Sequence, residues 1–232
     1  MGCCYHGFVS SSYLFITFIM KYKIVDNFID DENFDDIVNS LTYDQEYFHI
    51  PSITGGTSGL IDTELEKTGY GFGFSFINMD EPGVKYQDKK NTPLVQRINN
   101  KILMKYGGEF GFKKLVRTRL DLTTHRGEQT KFHPHVDIPV KHFTTILYLH
   151  TCGSPTIVYN ETQGYETHRG FGGGSVGSYG KTITSKQINN LTEMMRVDSV
   201  SNRLFIFEGN HLHTGMCAYD VPVRVLLNSN FL

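Results

Sequence analysis

Short β segments that follow one another without helices between them constrain the fold of this chain more than any other feature. Turn-forming Gly, Asn and Pro residues separate the segments, which occupy residues 115–122, 131–138, 143–149, 156–159, 194–200, 203–207 and 221–227. This succession is typical of an antiparallel sandwich, barrel or jelly roll. We therefore predict a mainly β fold for this part of the chain.

Two helical patterns precede these strands. The first has apolar residues at helical spacing between Phe34 and Leu41, and the second begins at Pro93 and runs to the pair Gly107 and Gly108. Proline is favoured at the first position of a helix, and glycine commonly follows its end. We expect both helices to pack against the sheet as supporting elements.

The length of the chain indicates one domain. A chain of 232 residues can form a single large β domain. We predict that residues 20–232 form it and that residues 1–19 are an unstructured leader. The apolar run at 13–20 is too short for a membrane span and has no basic residue before it, so neither a membrane segment nor a signal peptide is expected.

Charge and cysteine content narrow the partners and the compartment. The formal net charge of -2 gives no general attraction to phosphate backbones, so nucleic acid is not an expected partner. The four cysteines are irregularly placed and form no disulfide or zinc pattern. A reducing, cytoplasmic location fits this composition best, and the oligomeric state stays open.

The sequence His133-Pro134-His135-Val136-Asp137 is the first candidate for chemistry. On a strand, alternate side chains share a face, so His135 and Asp137 can bind one cation together. An imidazole and a carboxylate suit a first-row metal such as ferrous iron, which commonly takes two histidines and one carboxylate. His133 lies on the same face and is an alternative ligand.

A second candidate region lies near the end of the chain. His211 and His213 follow a predicted strand, and either could be the third ligand. Arg224 interrupts an apolar strand, where a buried guanidinium needs an anion. The simplest anion is the carboxylate of a small substrate, and the alternative is an ion pair with a distant acidic residue.

Together these residues resemble the Fe(II)/2-oxoglutarate-dependent dioxygenases, specifically the prolyl-4-hydroxylase-like branch. The resemblance rests on the order of His135-x-Asp137, a distal histidine and a late arginine, and it covers about residues 115–230. It favours His213 over His211 as third ligand and leaves His133 to face the substrate. Tyr148 matches a tyrosine that helps bind 2-oxoglutarate in that branch.

The resemblance implies a double-stranded β-helix, or jelly roll, with N-terminal helices in support. It implies a metal site of His135, Asp137 and His213, which are also the catalytic residues, and a 2-oxoglutarate site of Arg224 and Tyr148. The implied cofactors are Fe(II), 2-oxoglutarate and O2, with ascorbate as an accessory reductant. The implied reaction is hydroxylation of a C–H bond with release of succinate and CO2.

The prime substrate is not encoded in these motifs. A prolyl residue of a peptide is the leading expectation from the branch, and small molecules such as free amino acids are alternatives. For Arg117 and Arg119, which share a face of the strand before the metal pair, a solvated face and a substrate contact are both open. The alternative functions are a metal hydrolase using the same three ligands and a catalytically silent binding module.

Overall fold

The structure is a computed structural model that describes residues 20–30, 33–50, 70–77, 90–138, 140–162 and 190–232. The predicted leader at 1–19 and a glycine-rich stretch at 170–182, for which we expect a mobile loop beside the active site, lie outside these residues. In the ranges described, no helix is long and apolar enough to cross a membrane.

Two helices and ten strands make up the described part of the chain. The helices are α1 (Phe34–Thr42) and α2 (Thr92–Phe110). The strands are β1 (Tyr22–Val25), β2 (Phe48–Ile50), β3 (Gly71–Ile77), β4 (Leu115–Thr124), β5 (Phe143–Tyr148), β6 (Cys152–Thr162), β7 (Glu193–Ser199), β8 (Leu204–Glu208), β9 (His211–Thr214) and β10 (Val223–Phe231).

The strands form two antiparallel sheets. The larger sheet has the order β1-β8-β5-β10-β4-β3-β2, and the smaller has the order β7-β6-β9. Residues such as Val158 of β6 and Val197 of β7 pack with Ile146 of β5 and Leu226 of β10, so the two sheets enclose a shared apolar interior. This arrangement confirms the predicted mainly β, jelly-roll architecture.

Alternation along the strands of the larger sheet gives its two faces different roles. Val225 and Leu227 of β10 pack with helix residues such as Ile98 of α2. The intervening residues, including Arg224 and Asn228, face the smaller sheet and line a cavity there. Because side chains alternate with a period of two, a strand can carry apolar residues toward the helices and polar residues toward a site.

The structure corrects the sequence-based boundaries at two places. Residues 131–138 form no regular strand and make only the isolated bridges Lys131↔Met216 and His135↔His213. After β8 the expected turn lies at 209–210, and His211 and His213 belong to the short strand β9 that follows it. Helix α2 continues through the glycine pair and ends where Gly111 adopts a left-handed conformation with φ of 85°.

Candidate metal centre

Backbone pairing brings the two candidate histidines together. The amide of His135 donates to the carbonyl of His213 at 3.0 Å, and the amide of His213 donates back to His135 at 3.0 Å. The imidazole ring centroids are 4.6 Å apart. Residues 78 positions apart in the chain therefore face the same space.

Asp137 completes a compact cluster with these histidines. Its Oδ1 lies 3.8 Å from Nε2 of His135, and its Oδ2 lies 3.7 Å from Nε2 of His213. The ligand atoms of the three residues all lie within 4.8 Å of one another. This spacing and this donor set suit one small divalent cation with open coordination positions.

Hydrogen bonds orient both imidazoles toward the centre of the cluster. Nδ1 of His135 lies 3.1 Å from the carbonyl oxygen of His133, and Nδ1 of His213 lies 3.3 Å from that of His211. A carbonyl oxygen only accepts, so Nδ1 of each ring carries a proton and Nε2 of each ring is directed toward Asp137. Burial, aided by the charge of His213, lowers the pKa of His135 to about 3, which keeps it in the neutral form that binds metals.

Four side chains hold the carboxylate of Asp137. Arg117 donates to Oδ1 at 3.3 Å, Thr144 donates to Oδ2 at 3.0 Å, Asn230 donates to Oδ2 at 2.9 Å, and Asn228 donates to both oxygens at 3.2 and 3.3 Å. Burial alone would raise the pKa of Asp137, but the neighbouring His213 and Arg117 hold it well below its usual value. The carboxylate is thus ionised and fixed in orientation.

Arg224 lies in the same cavity and forms the candidate anion site. It is buried, and its Nη2 donates to Oγ1 of Thr156 at 3.3 Å, while the hydroxyl of Tyr148 donates to the same oxygen at 2.7 Å. The guanidinium carbon is 5.7 Å from the ring centroid of Tyr148. Nε of Arg224 is buried without a hydrogen-bond partner, and within the described ranges no carboxylate is paired with this side chain.

One cavity connects the metal cluster and the anion site. It encloses about 470 Å³ of space, its open mouth included. Its wall includes His135 and His213 of the cluster together with Arg224, Thr156 and Leu226. The cluster and the candidate anion site therefore share one cavity.

Four other residues singled out in the sequence are not members of the metal cluster. Arg117 and Arg119 do not form a solvated face, because their side chains are only 12% and 8% exposed. His133 turns its Nδ1 toward the carbonyl of Pro134 at 2.9 Å and is not part of the cavity wall as described. His211 turns its Nδ1 toward the carbonyl of Tyr159 at 2.9 Å and is not a member of the cluster.

Sequence reasoning missed the side chains that support the site. Thr156, Thr144, Asn228 and Asn230 were not identified, although all four are buried polar residues. A signal was present for β10, where Arg224, Asn228 and Asn230 fall on one face of an otherwise apolar strand. Buried polar groups on one strand face need partners on that face, so this pattern indicates a site.

Comparisons by sequence and comparisons by structure give different results for this chain. No protein-family model matches the sequence, and no curated relative is detectably similar to it. The epimerase SnoN from nogalamycin biosynthesis has a TM-score of 0.58 at 11% identity over 91% of this chain and 78% of that chain, and it has also been solved with Fe3+, alpha ketoglutarate and nogalamycin RO.

Two further solved structures have the same architecture. A 2OG-Fe(II) oxygenase family oxidoreductase from Burkholderia pseudomallei has a TM-score of 0.58 at 11% identity over 90% of this chain and 84% of that chain. A prolyl hydroxylase from Trichoplax adhaerens, solved with a hypoxia inducible factor peptide fragment, has a TM-score of 0.50 at 14% identity over 91% and 83%. The fold is that of the 2OG-Fe(II) oxygenases. The resemblance inferred from the sequence is thus confirmed at the level of the fold.

Proposed function

We propose that this protein is an Fe(II)- and 2-oxoglutarate-dependent oxygenase that hydroxylates a C–H bond of a small-molecule or peptide substrate. The observation that carries the proposal is the meeting of His135, Asp137 and His213 within 4.8 Å in a cavity that also contains the buried Arg224. A metal site alone is compatible with several reactions. A metal site that shares its cavity with a buried guanidinium favours a co-substrate with a distal carboxylate.

The residues present fit ferrous iron. Two imidazoles and an ionised carboxylate form the facial set that non-haem Fe(II) oxygenases use. Hydrogen bonds already fix the orientation of both imidazole rings and of the Asp137 carboxylate. Metal binding therefore requires less reorganisation of these side chains. We assign His135, Asp137 and His213 as ligands on these grounds.

The residues around Arg224 fit the distal carboxylate of 2-oxoglutarate. A guanidinium binds a carboxylate through two parallel hydrogen bonds, and the buried Nε of Arg224 has no hydrogen-bond partner in the part of the chain that the structure describes. Tyr148 and Thr156 form a hydroxyl pair beside it, and these hydroxyls can reorient toward a bound carboxylate. Burial raises the pKa of Tyr148 to about 12, so its hydroxyl stays a donor.

The protein's part in the reaction is binding, orientation and exclusion of water. When bound, iron with 2-oxoglutarate supplies the oxidising chemistry: O2 is consumed, 2-oxoglutarate becomes succinate and CO2, and a substrate C–H becomes C–OH. Arg224 orients the co-substrate along the cavity, and the four donors around Asp137 fix the orientation of its carboxylate. The cofactors we propose are therefore Fe(II) and 2-oxoglutarate with O2.

Anaerobic titration of the Fe(II)-loaded protein with 2-oxoglutarate tests the proposal. We expect a weak visible metal-to-ligand charge-transfer band in the wild type and no band in Asp137→Ala. An Arg203→Gln variant is the control, because Arg203, which directly precedes β8, forms an ion pair with Asp26 and is not in the cavity wall as described. Absence of the band in the wild type, or its persistence in Asp137→Ala, would contradict the assignment and leave hydrolase and binding functions open.

A further inference from the structure

A buried ion pair lies in the wall of the same cavity. Arg119 and Asp121 are alternate residues of β4, so their side chains share a face. Nε of Arg119 lies 2.6 Å from Oδ1 of Asp121, and Nη2 donates to Oδ2 at 3.1 Å. The two side chains are 8% and 10% exposed, and both line the cavity that His135 and Arg224 also line.

This pair is difficult to explain as a stabilising element. Taking two charges out of water costs free energy that their attraction offsets only in part, and apolar replacements of such pairs are often as stable or more so. Burial raises the pKa of Asp121 in opposition to the guanidiniums of Arg119 and Arg117. A pair that faces a cavity beside a metal centre can have a role in ligand recognition.

The side chains that contact Arg224 lie outside β4. Strand β10 runs between β5 and β4 in the larger sheet. Arg224 donates to Thr156 of β6 and lies against the ring of Tyr148 of β5, whereas Arg119 and Asp121 lie on β4, opposite Asn228 and Leu226 of β10. The β4 side of β10 is therefore the candidate place for the prime substrate.

Two buried oxygens beside the pair also indicate a polar ligand. Oδ1 of Asn228 and Oγ1 of Thr123 have no hydrogen-bond partner within the ranges described, and both residues line the cavity. Asn228 is directly opposite Arg119, whereas Thr123 follows Asp121 on the same face of β4 and is directly opposite Arg224. Buried polar atoms of this kind are normally satisfied by protein, water or ligand.

We propose that the Arg119–Asp121 pair recognises the zwitterionic end of a free α-amino acid, which is then the prime substrate. A ligand carrying only an anion would meet the carboxylate of Asp121, and one carrying only a cation would meet the guanidinium of Arg119. A free amino acid offers its carboxylate to Arg119 and its ammonium group to Asp121. An internal peptide residue has neither charge, so this assignment departs from the peptide prolyl substrate that the sequence favours.

The inference rests on the proposed function and is tested separately from it. The full chain is loaded with Mn(II) and 2-oxoglutarate under nitrogen, so that no turnover occurs, and its melting temperature is measured with each free L-amino acid. Each is compared with its N-acetyl and its carboxamide derivative, which lack one charge. We expect at least one free amino acid to raise the melting temperature, with each derivative at least tenfold weaker in apparent affinity.

Variants of Arg119 and Asp121 test whether this pair binds the amino acid. Single substitutions leave a buried charge without its partner and can impair folding, so the main variant is the double substitution Arg119→Met with Asp121→Leu, which removes both charges. It is expected to fold and to lose the response to the amino acid. In Asp121→Asn, if it folds, the N-acetyl derivative should bind within about threefold of the free amino acid.

The outcomes distinguish this inference from the proposed function. If the Fe(II) and 2-oxoglutarate absorption band forms but no free amino acid raises the melting temperature, only the inference is overturned. The same holds if the derivatives bind as well as the free amino acids, or if the double variant keeps the response. If Arg119→Gln weakens 2-oxoglutarate binding tenfold or more, Arg119 serves the co-substrate and the inference is again wrong.

Discussion

Asn230 donates a hydrogen bond of 2.9 Å from Nδ2 to Oδ2 of Asp137, and its own Oδ1 accepts one of 2.8 Å from Arg117. The Asn230 side-chain amide therefore connects the candidate ligand Asp137 to the guanidinium of Arg117, which lies opposite Asn230 on β4. Asn230 is fully buried, so solvent does not reach these contacts. The orientation of the carboxylate depends on a residue that itself offers nothing to the metal.

Asn230→Ala is expected to weaken metal binding by about 10- to 100-fold, because outer hydrogen-bond partners of metal ligands commonly have effects of this size. The measurement is a competitive titration of the apoprotein with Mn(II) or Fe(II). The matched control is Asn99→Ala, since Asn99 is equally buried but bonds to Thr118 on the helix side of the sheet. Equal loss of metal affinity in both variants would assign the effect to general destabilisation.

Arg224→Ala should raise the 2-oxoglutarate concentration that gives half-maximal binding by about 100-fold, because charged hydrogen bonds contribute roughly 1.5 to 3 kcal/mol each. Arg224→Lys keeps the charge but loses the two-pronged geometry, so an intermediate value is expected. The charge-transfer titration measures both variants, with Arg203→Gln as the control. An unchanged 2-oxoglutarate requirement in Arg224→Ala would mean that the carboxylate binds elsewhere.

The unfolding free energy of the metal-free protein is expected to fall on acidification because of His142. This buried ring has Nδ1 at 2.6 Å from the carbonyl of Val140, and burial lowers its pKa from 6.5 to about 4. Between these values the unfolded chain binds the proton and the folded chain does not, so stability rises with pH and is lost as pH falls toward 4. The loss amounts to on the order of 3 kcal/mol.

His142→Asn tests this assignment, because the asparagine amide can still donate to Val140 but does not titrate. Urea unfolding of the metal-free wild type and variant between about pH 4.5 and 6.5 gives, for each protein, the slope of the unfolding free energy against pH. Because His135 titrates in the same direction, the variant should retain part of the pH dependence and lose the His142 contribution. Identical slopes would show that His142 contributes nothing to acid sensitivity.

The residues of the candidate metal cluster could be predicted from the sequence because their signals are local or depend only on order. His135 and Asp137 are two residues apart, and the resemblance required only a later histidine and arginine. The residues that support Asp137 could not be predicted, because their proximity to it depends on strand register. Asn230 reaches Asp137 only because β10 lies beside both β4 and β5, with Thr144 opposite Asn230.

Local patterns also gave two wrong boundaries, each for a physical reason. The alternation at 131–138 predicted a strand, but Pro134 has no amide hydrogen and the segment forms only isolated bridges with residues 213 and 216. The pair Gly107 and Gly108 predicted a helix end, but neither needs a left-handed conformation. The position that has it is Gly111, whose amide donates to the carbonyl of Gly107 at 2.7 Å.

The same glycine pair provides a stability test within one helix. A Cβ at Gly107 would lie 2.8 Å from the carbonyl oxygen of Phe112, whereas a Cβ at Gly108 would have nothing within 4 Å. Gly108→Ala should therefore stabilise the protein by about 0.5–1 kcal/mol, the usual difference between alanine and glycine inside a helix. Gly107→Ala should destabilise it by about 1–3 kcal/mol through overpacking against backbone that cannot easily move. Urea unfolding of the two variants measures the change in unfolding free energy of each. Stabilisation by Gly107→Ala would contradict the close packing of α2 against Phe112.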